Sequence, residues 1–356
     1  MARPAPTDGS EQFRWRLAGD DGGQATLLAG AERHEGRGEL AGLELLHVRA
    51  KTIINRVPDA SAVPFRWTIN AYRGCSHACV YCFARPTHEY LGFDIGQDFD
   101  RRIVVKVNAV ERLRVELRAP RWAGEEIAMG TNTDPYQPVE GRYRLTRGVI
   151  EVLTEAANPF SILTKSTLIG RDIDLLAEAA ARTEVSTAFS IGCLDEDVWR
   201  AVEPHTPNPM RRVETVTKLA EAGLPCGVLM APILPGISDD PDQIEAVVRA
   251  CVEAGATSIT PILLHLRPGV REHYLAWLEA HRPELMPEMR RRYRRAYGPA
   301  EERDRLAAMV REMVARHGGL RQPQRNRFDF RTGRRGGLGV RPTPAPEQLT
   351  LVPADP

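Results

Sequence analysis

Three cysteines stand close together in the stretch RGCSHACVYCFAR, which covers residues 73–85. They are Cys75, Cys79 and Cys82, spaced C-x3-C-x2-C, with Tyr81 directly before the last one. Thiolates at such short spacing are typical ligands of metal ions and iron–sulfur clusters. Half of the chain's 6 cysteines lie in this stretch, which indicates a metal or redox centre rather than a disulfide framework.

Two kinds of centre fit three cysteines. A structural zinc site closes with four ligands, so His77 or His88 would complete a Cys3His knuckle. A [4Fe–4S] cluster on three cysteines leaves one iron open, and a cofactor or substrate can chelate there. The loop follows the first predicted strand of an α/β domain, at the sheet edge where such folds bind ligands, and this favours the cluster.

An alternation of strands and helices follows the cysteine loop. Runs of apolar and β-branched residues predict strands, and apolar residues at helical spacing predict helices between them. The predicted strands are residues 67–72, 126–130, 160–166, 185–191, 226–234 and 258–264, and the predicted helices are residues 109–117, 144–157, 172–182, 209–223 and 241–255. This order predicts βαβ units and a parallel sheet. The pattern alone leaves a partial, open barrel and a doubly wound sheet as alternatives.

The cysteine spacing, the tyrosine before the last cysteine and the βα repeats resemble the radical S-adenosylmethionine superfamily, over about residues 65–266. The resemblance implies a partial (β/α)6 TIM-like barrel with a [4Fe–4S] cluster on Cys75, Cys79 and Cys82. It also implies S-adenosylmethionine on the open iron and cleavage of its sulfonium to a 5′-deoxyadenosyl radical that abstracts hydrogen from a substrate. A flavodoxin- or ferredoxin-type protein is the electron donor that the family implies.

The resemblance places further cofactor contacts where the predicted strands end. The polar loop GTNTDPYQPVE, residues 130–140, stands where the family has a glycine-rich motif, although Asp134 before Pro135 also fits an Asx turn. The expected contacts are Tyr81 and Pro232 at the adenine, Thr131, Asn132 and Asp134 at the methionine amino and carboxylate groups, Lys165 at the carboxylate, and Ser190 at the ribose or carboxylate.

The motifs FRWTINAYRGCSHACVYCFARPTHEYL and GTNTDPYQP resemble the spore photoproduct lyase-like branch, including an uncharacterised actinobacterial-type group. Spore photoproduct lyase abstracts hydrogen from a thymine dimer in DNA, and a cysteine after its second strand returns a hydrogen atom to the product radical. Residues 130–134 contain no cysteine, so Cys193 is the candidate hydrogen donor here. Simple burial is the alternative for Cys193, as it is for Cys226 and Cys251. His265 and Arg267, after the sixth strand, are expected to face the substrate.

The C-terminal part of the chain is basic, although the whole chain has a net charge of only +1. Residues 281–341 contain 17 Arg, no Lys and 7 Asp or Glu, a surplus of ten positive charges. Aromatic residues interleave with these arginines, which favours contact with phosphates and stacking on bases of a nucleic acid such as DNA. A solvated basic helix face is the alternative. The aromatic residues are Tyr293, Tyr297, Phe328 and Phe330.

The remaining predictions concern organisation and location. We expect a poorly ordered segment over residues 1–44, the core over residues 45–266, a helical extension over 267–317, and a disordered tail rich in Arg, Gly and Pro over 318–356. Within that tail, EQLTLV at residues 347–352 resembles peptides that dock on the DNA sliding clamp. The lack of an eighteen-residue apolar run and of a signal peptide predicts a cytoplasmic protein without a membrane partner.

Three functions follow from these features. The first is a radical enzyme that acts on a nucleic acid lesion or base. The second is a radical enzyme that acts on a protein or a small metabolite. The third is a non-catalytic, zinc-binding structural protein built on the same sheet.

Overall fold

The computed structural model describes residue 28, residues 30–59, residue 61 and residues 63–321. Phe328, Phe330 and residues 347–352 lie outside this part of the chain. Eleven strands occur within it: β1 (Glu32–Glu35), β2 (Glu44–Val48), β3 (Ile54–Arg56), β4 (Trp67–Ile69), β5 (Tyr72–Arg73), β6 (Arg102–Lys106), β7 (Ile127–Met129), β8 (Phe160–Thr164), β9 (Val185–Ser190), β10 (Cys226–Ile233) and β11 (Ser258–Leu263).

The larger sheet has the order β11-β10-β9-β8-β7-β4-β3. Its strands from β4 to β11 pair in parallel and coincide with the six predicted strands, while β3 pairs antiparallel to β4 at the edge. The parallel strands follow one another in chain order without the reversal of a doubly wound sheet. The sheet is therefore wound in one direction, as in an open, partial barrel.

Helices follow the strands as the sequence predicts. Those of the described residues are α1 (Gln97–Arg101), α2 (Ala109–Leu117), α3 (Val139–Tyr143), α4 (Leu145–Glu155), α5 (Ile173–Ala180), α6 (Glu196–Val202), α7 (Pro209–Glu221), α8 (Pro241–Glu253), α9 (Val270–His281), α10 (Met286–Arg292) and α11 (Ala300–Arg316). Short 3₁₀ helices occupy Gly38–Leu40, Arg85–Leu91, Thr167–Asp172 and Pro283–Leu285.

Local sequence signals set the ends of the core helices. Asn208 accepts a hydrogen bond from the Met210 amide at 2.8 Å before α7, and Asp240 caps α8 in the same way. Gly223, the last residue of the predicted helix over residues 209–223, has a φ of 77° and lies just past the end of α7. These caps fix where each helix begins and ends, and hence where the next strand starts.

The main hydrophobic core lies between the larger sheet and the helices that cover it. Alternate residues of β8 are buried, among them Phe160 and Ile162, and α4 packs Val149 and Leu153 into the same core. Each such side chain contributes about 1.5–3 kcal/mol when it is fully removed from water. The core thereby holds the carboxyl ends of the parallel strands in fixed positions.

A second, four-stranded sheet has the order β1-β2-β6-β5 and was not predicted. Residues 32–35 form an exposed strand, and β2 spans the predicted boundary at residue 44, so the prediction of a poorly ordered segment is wrong for these residues. The sequence ERHE of β1 has no apolar face, and its pairing with β2 supplies the order that its composition does not indicate. The apolar IVV of β6 is a strand signal that the sequence analysis overlooked.

The helical extension is present as α9, α10 and α11, within the predicted residues 267–317. Helix α11 packs against α8 and β11, with Val310 and Met313 buried in the main core. No helix of the described residues combines the length and apolar character that crossing a membrane requires.

Candidate active site

The cysteine loop follows β4 and is held in place by buried polar side chains of the next barrel loop. The Gln137 side chain accepts a hydrogen bond from the Ser76 amide and donates one to the Gly74 carbonyl, each at 3.0 Å. The Thr133 hydroxyl donates to the same carbonyl at 2.6 Å. These bonds join the loops after β4 and β7, so the conformation of the cysteine loop depends on the polar segment at residues 130–140.

A buried arginine fixes the other side of the cysteine loop. Arg85 donates to the carbonyl of Cys79 through Nε at 3.1 Å and Nη2 at 2.9 Å, and it pairs with Asp100 at 2.9 Å. Its Nη1 atom donates to the Ile95 carbonyl at 2.9 Å. The sequence analysis quoted Arg85 at the end of the motif but assigned it no role. The structure shows that it folds the loop around the middle cysteine.

The three thiols of the loop face a common, poorly solvated region. Cys75 and Cys79 are buried and Cys82 is partly exposed. Burial raises the pKa of each thiol, and the charge of Cys82 raises the pKa of Cys75 and Cys79 further. Thiolate is the form that binds a metal, so a positive metal centre would stabilise the state that burial disfavours. The donor set therefore fits a metal centre bound by three cysteines.

The zinc knuckle is not assembled in the part of the chain that the structure describes. Tetrahedral zinc with bonds of about 2.3 Å places its ligand sulfurs roughly 4 Å apart. Among the described residues, the only group of three Cys, His, Asp or Glu with ligand atoms all within 4.8 Å of one another contains no cysteine. That group is Glu32, His34 and His47, on β1 and β2.

The two histidines proposed as a fourth zinc ligand have other partners. His77 is buried with Nδ1 at 3.5 Å from Asp134. His88 lies between Phe93 and Phe99, and its Nε2 is 3.0 Å from the Arg102 carbonyl. Both rings are thus part of the packing around the cysteine loop.

The polar loop after β7 is anchored to its neighbours. The Asn70 side chain, at the end of β4, bonds with the Thr131 hydroxyl at 3.1 Å and accepts from the Asn132 amide at 3.1 Å. The Asp134 carboxylate accepts from the Lys165 amide at 2.7 Å and from the Thr164 hydroxyl at 2.6 Å. The alternative Asx turn is also present, since Asp134 accepts from the amide two residues ahead at 2.9 Å. Asp134 therefore ties the ends of β7 and β8 together.

Lys165 and Ser190 come together at the ends of β8 and β9, while their contacts with a cofactor stay predictions. Lys165 Nζ donates to Ser190 Oγ at 2.6 Å and lies 5.6 Å from the centre of the Tyr81 ring. Ser190 Oγ donates to the Ala231 carbonyl at 2.7 Å, directly before Pro232 in β10. Four of the predicted cofactor residues thus come from the cysteine loop and from three neighbouring strand ends.

Two residues that the sequence analysis missed complete this cluster. Glu203, directly after α6, pairs with Lys165 at 2.9 Å and with Arg212 of α7 at 2.5 Å, and it accepts a hydrogen bond from the Tyr81 hydroxyl. Burial alone would raise the pKa of Glu203, but the charges of Arg212 and Lys165 hold it far below its usual range. Glu203 is therefore ionised between two cations beneath the strand ends.

Cys193 lies just past β9 and is buried. Its Sγ atom is 3.9 Å from the Asp195 carbonyl. Burial, with the nearby negative charge of Glu203, raises the pKa of this thiol to about 12. Cys193 consequently keeps its S–H hydrogen at neutral pH, as a hydrogen-atom donor would require. Its role as donor stays a prediction.

The rim beside the cysteine loop carries two arginines, Arg73 and Arg267. Burial lowers the pKa of both, and the ionisable groups acting on them are Tyr90 for both and also Cys82 and Glu89 for Arg267. In the described residues neither guanidinium forms an ion pair, and Nε of Arg267 is buried without a hydrogen-bond partner. Arg267 is thus close enough to the cysteine loop for Cys82 to act on it, and its expected contact with the substrate stays a prediction.

Two of the described Phe and Tyr rings are exposed, one in the cysteine loop and one that packs on a histidine just after β11. Tyr297 is 55% exposed and stacks on His265, with ring centres 4.2 Å apart, and Phe83 of the cysteine loop is 47% exposed. The expectation for Tyr293 was wrong, because this ring is fully buried under α9. Arg291 and Arg292 pair with Glu288 and Glu302, which reduces the positive charge of the extension.

Comparisons with known proteins agree with this architecture. A family model described as the radical SAM superfamily matches residues 69–251. An uncharacterised protein of Mycobacterium tuberculosis is 47% identical over 277 residues, which cover 78% of this chain and 82% of the relative. Spore photoproduct lyase complexed with dinucleoside spore photoproduct superposes with a TM-score of 0.54 at 18% identity, over 77% of this chain and 79% of that one. A mutant of that lyase with bound AdoMet and dinucleoside spore photoproduct superposes with a TM-score of 0.54 at 18% identity, over 80% of this chain and 84% of that one.

The partial barrel with its cysteine loop defines an enzyme of the S-adenosylmethionine-dependent radical class. The chain belongs to the radical SAM superfamily. Its fold is that of spore photoproduct lyase, a partial barrel in which β4 and β7 to β11 are the parallel strands.

Proposed function

We propose that Cys75, Cys79 and Cys82 bind a [4Fe–4S] cluster whose open iron takes S-adenosylmethionine. The observation that carries this is the three-cysteine loop at the strand edge where Lys165 and Ser190 meet. The bound AdoMet of the structural neighbour also supports it. When bound, the cluster and S-adenosylmethionine would together supply a 5′-deoxyadenosyl radical for hydrogen abstraction.

The chain's own residues bind and orient this cofactor. The Lys165 ammonium group is the partner for a carboxylate, and Ser190 offers a hydroxyl beside it. Pro232 supplies an apolar surface at the end of β10, and Tyr81 supplies a ring on the opposite, cysteine-loop side. Gln137 and Arg85 keep the thiols in position through the backbone of their loop. A flavodoxin- or ferredoxin-type donor would supply the electron.

Release of 5′-deoxyadenosine tests this proposal. Anaerobically reconstituted protein, reduced with dithionite, is expected to release 5′-deoxyadenosine from S-adenosylmethionine even without substrate. The matched control is the same protein carried through reconstitution without iron and sulfide. Equal, background levels from both preparations would contradict the assignment, provided that the reconstituted protein is folded.

The substrate that the rim supports best is a nucleic acid. Arg73 and Arg267 form no ion pair in the described chain, although Glu89 acts on Arg267, and phosphates are suitable partners for both. The exposed rings of Phe83 and Tyr297 suit stacking of unpaired bases. The structural neighbour was solved with a dinucleoside photoproduct, which agrees with a lesion or an extruded base as the target.

Binding to a single-stranded oligonucleotide, measured against salt concentration, tests this substrate class. Arg267→Gln is expected to weaken binding about tenfold and to reduce the salt slope by about 0.7. Tyr297→Ala is expected to cost about 1–3 kcal/mol of binding without changing the slope. Arg182→Gln is the matched control, because Arg182 lies at the opposite end of the sheet, where it pairs with Glu178.

Two outcomes would redirect the search for a substrate. Salt-independent, weak binding by the wild type would favour a protein or small metabolite instead of nucleic acid. Equal losses in Arg267→Gln and Arg182→Gln would mean that only general charge is sensed. If nucleic acid binding is confirmed, Cys193 is the first residue to test as hydrogen donor, by following deuterium from the thiol into product.

A further inference from the structure

Lys165, Glu203 and Arg212 form a cluster of charged side chains with a net positive charge. Glu203 uses one carboxylate oxygen for Lys165 Nζ, at 2.9 Å, and the other for Arg212 Nη2, at 2.5 Å. Lys165 is 15% exposed, whereas Arg212 is 1% exposed and has no route to solvent. One negative and two positive charges are thus hydrogen-bonded together, so this trio of side chains has a surplus of one positive charge. The neighbouring Asp134 carboxylate does not pair with the Lys165 ammonium group, because it accepts from the Lys165 amide and the Thr164 hydroxyl and faces His77.

Arg212 is buried and bonds to protein atoms, so it has no surface for a ligand. Its Nη1 donates to the Ser190 carbonyl at 3.0 Å, its Nε donates to the Pro207 carbonyl at 2.9 Å, and Nη2 also donates to the Thr206 hydroxyl at 2.5 Å. Each of the three guanidinium nitrogens therefore donates to protein atoms, and four of the five N–H donors have a partner. Arg212 cannot touch a ligand, and any effect on binding must pass through Glu203.

Lys165 is the more accessible of the two cations of this cluster, with 15% of its side chain exposed. Two of its three donor positions are used at short distance, by Glu203 and Ser190. The third makes only a 3.4 Å contact with the Ala231 carbonyl, so it is the position most available to an anionic ligand. Without Arg212, Glu203 would neutralise Lys165 and remove the attraction for such a ligand, because buried charges interact strongly at these distances.

We propose that Arg212 is a positioning residue that neutralises Glu203 and leaves Lys165 the net positive charge with which the site selects the α-carboxylate of S-adenosylmethionine. The inference rests on the proposed function. Glu203 holds the Lys165 side chain at the pocket, and Arg212 sets how much of the lysine's charge the ligand senses. A purely structural role for the pair would stabilise the fold but would not discriminate a carboxylate.

The test compares S-adenosylmethionine with decarboxylated S-adenosylmethionine, which lacks only the carboxylate. Affinities are measured by equilibrium dialysis on reconstituted, unreduced full-length protein, and the ratio of the two dissociation constants is the readout. Arg212→Met is expected to reduce the preference for the carboxylate about tenfold, which is about 1.4 kcal/mol. Arg212→Lys keeps the charge and is expected to keep the preference within about threefold.

A paired substitution keeps the test decisive if Arg212→Met does not fold. Glu203→Gln leaves two positive charges and is expected to increase the preference for the carboxylate. Glu203→Gln combined with Arg212→Met restores a single positive charge and is expected to return the preference to the wild-type value. Melting temperatures of all variants, recorded alongside, separate loss of folding from loss of discrimination.

The outcomes separate the inference from the proposed function. If the wild type does not bind S-adenosylmethionine, the proposed function fails. If the wild type binds it and the variants weaken both ligands equally, the inference is overturned while the proposed function stands. A preference that follows the net charge across the variants supports both.

Discussion

Single substitution of Cys75, Cys79 or Cys82 by alanine is expected to abolish cluster assembly and to lower 5′-deoxyadenosine release to background. Loss of a protein ligand leaves an iron without its thiolate, and neither His77 nor His88 lies in a ligand-sized group with the remaining cysteines among the described residues. Loss of an outer-shell partner typically costs a metal site 10- to 100-fold, and loss of a ligand is expected to exceed about 100-fold. The measurements are iron and sulfide per chain, visible absorbance, and 5′-deoxyadenosine by chromatography.

The matched control for these variants is Cys251→Ala. Cys251 is fully buried in the main core, on α8, and contacts no residue of the cysteine loop's own packing clusters. Removing its sulfur is expected to lower stability by about 1 kcal/mol and to leave iron content unchanged. Full iron content in any of the three loop variants would contradict the assignment of that cysteine.

Gly130→Ala is expected to be strongly damaging, both to stability and to the candidate site. Gly130 has a φ of 91°, and a Cβ atom there would lie 2.0 Å from the Leu163 carbonyl oxygen of the adjacent strand. Backbone must move to admit it, because no flexible side chain can give way. We expect a loss of at least about 3 kcal/mol in unfolding free energy. We also expect loss of S-adenosylmethionine binding, because residues 131–134 and the cysteine loop are bonded to this segment.

Gly141→Ala is the control for that substitution. Gly141 lies in α3, and a Cβ there has no atom within 4 Å. Alanine at this position is expected to be neutral or to stabilise by about 0.5–1 kcal/mol. Denaturant unfolding of both variants, with dialysis against S-adenosylmethionine, gives the comparison. A Gly130→Ala protein as stable as wild type would mean that the loop after β7 is not constrained as described.

The barrel could be predicted because its signals are local. Each of the six parallel strands carries its own apolar run, and caps such as Asn208 and Asp240 stand next to the helices that they start. The small sheet could not be predicted in the same way. Strand β1 is exposed along its whole length, so only its pairing with β2 defines it.

The residues of the candidate site also differ in whether a local sequence signal marks them. The cysteines were found because their spacing within one loop is the signal, and Lys165 and Ser190 were found because they end predicted strands. Glu203 and Arg212 stand alone in the sequence, and only the packing of α6 and α7 brings them to Lys165. The expectation for Tyr293 was wrong because the sequence does not show which helix packs over a ring. Here α9 buries it, although its neighbours in the sequence are basic.

The measurement that tests the central claim most directly is electron paramagnetic resonance of the reduced, reconstituted protein with and without S-adenosylmethionine. A [4Fe–4S] cluster on three cysteines has an iron that the cofactor can reach, so the signal is expected to change on addition of S-adenosylmethionine. It is expected to stay unchanged on addition of methylthioadenosine, which lacks the amino acid part. A folded protein that yields no cluster signal, or whose signal is insensitive to S-adenosylmethionine, would contradict an open iron in the loop of Cys75, Cys79 and Cys82.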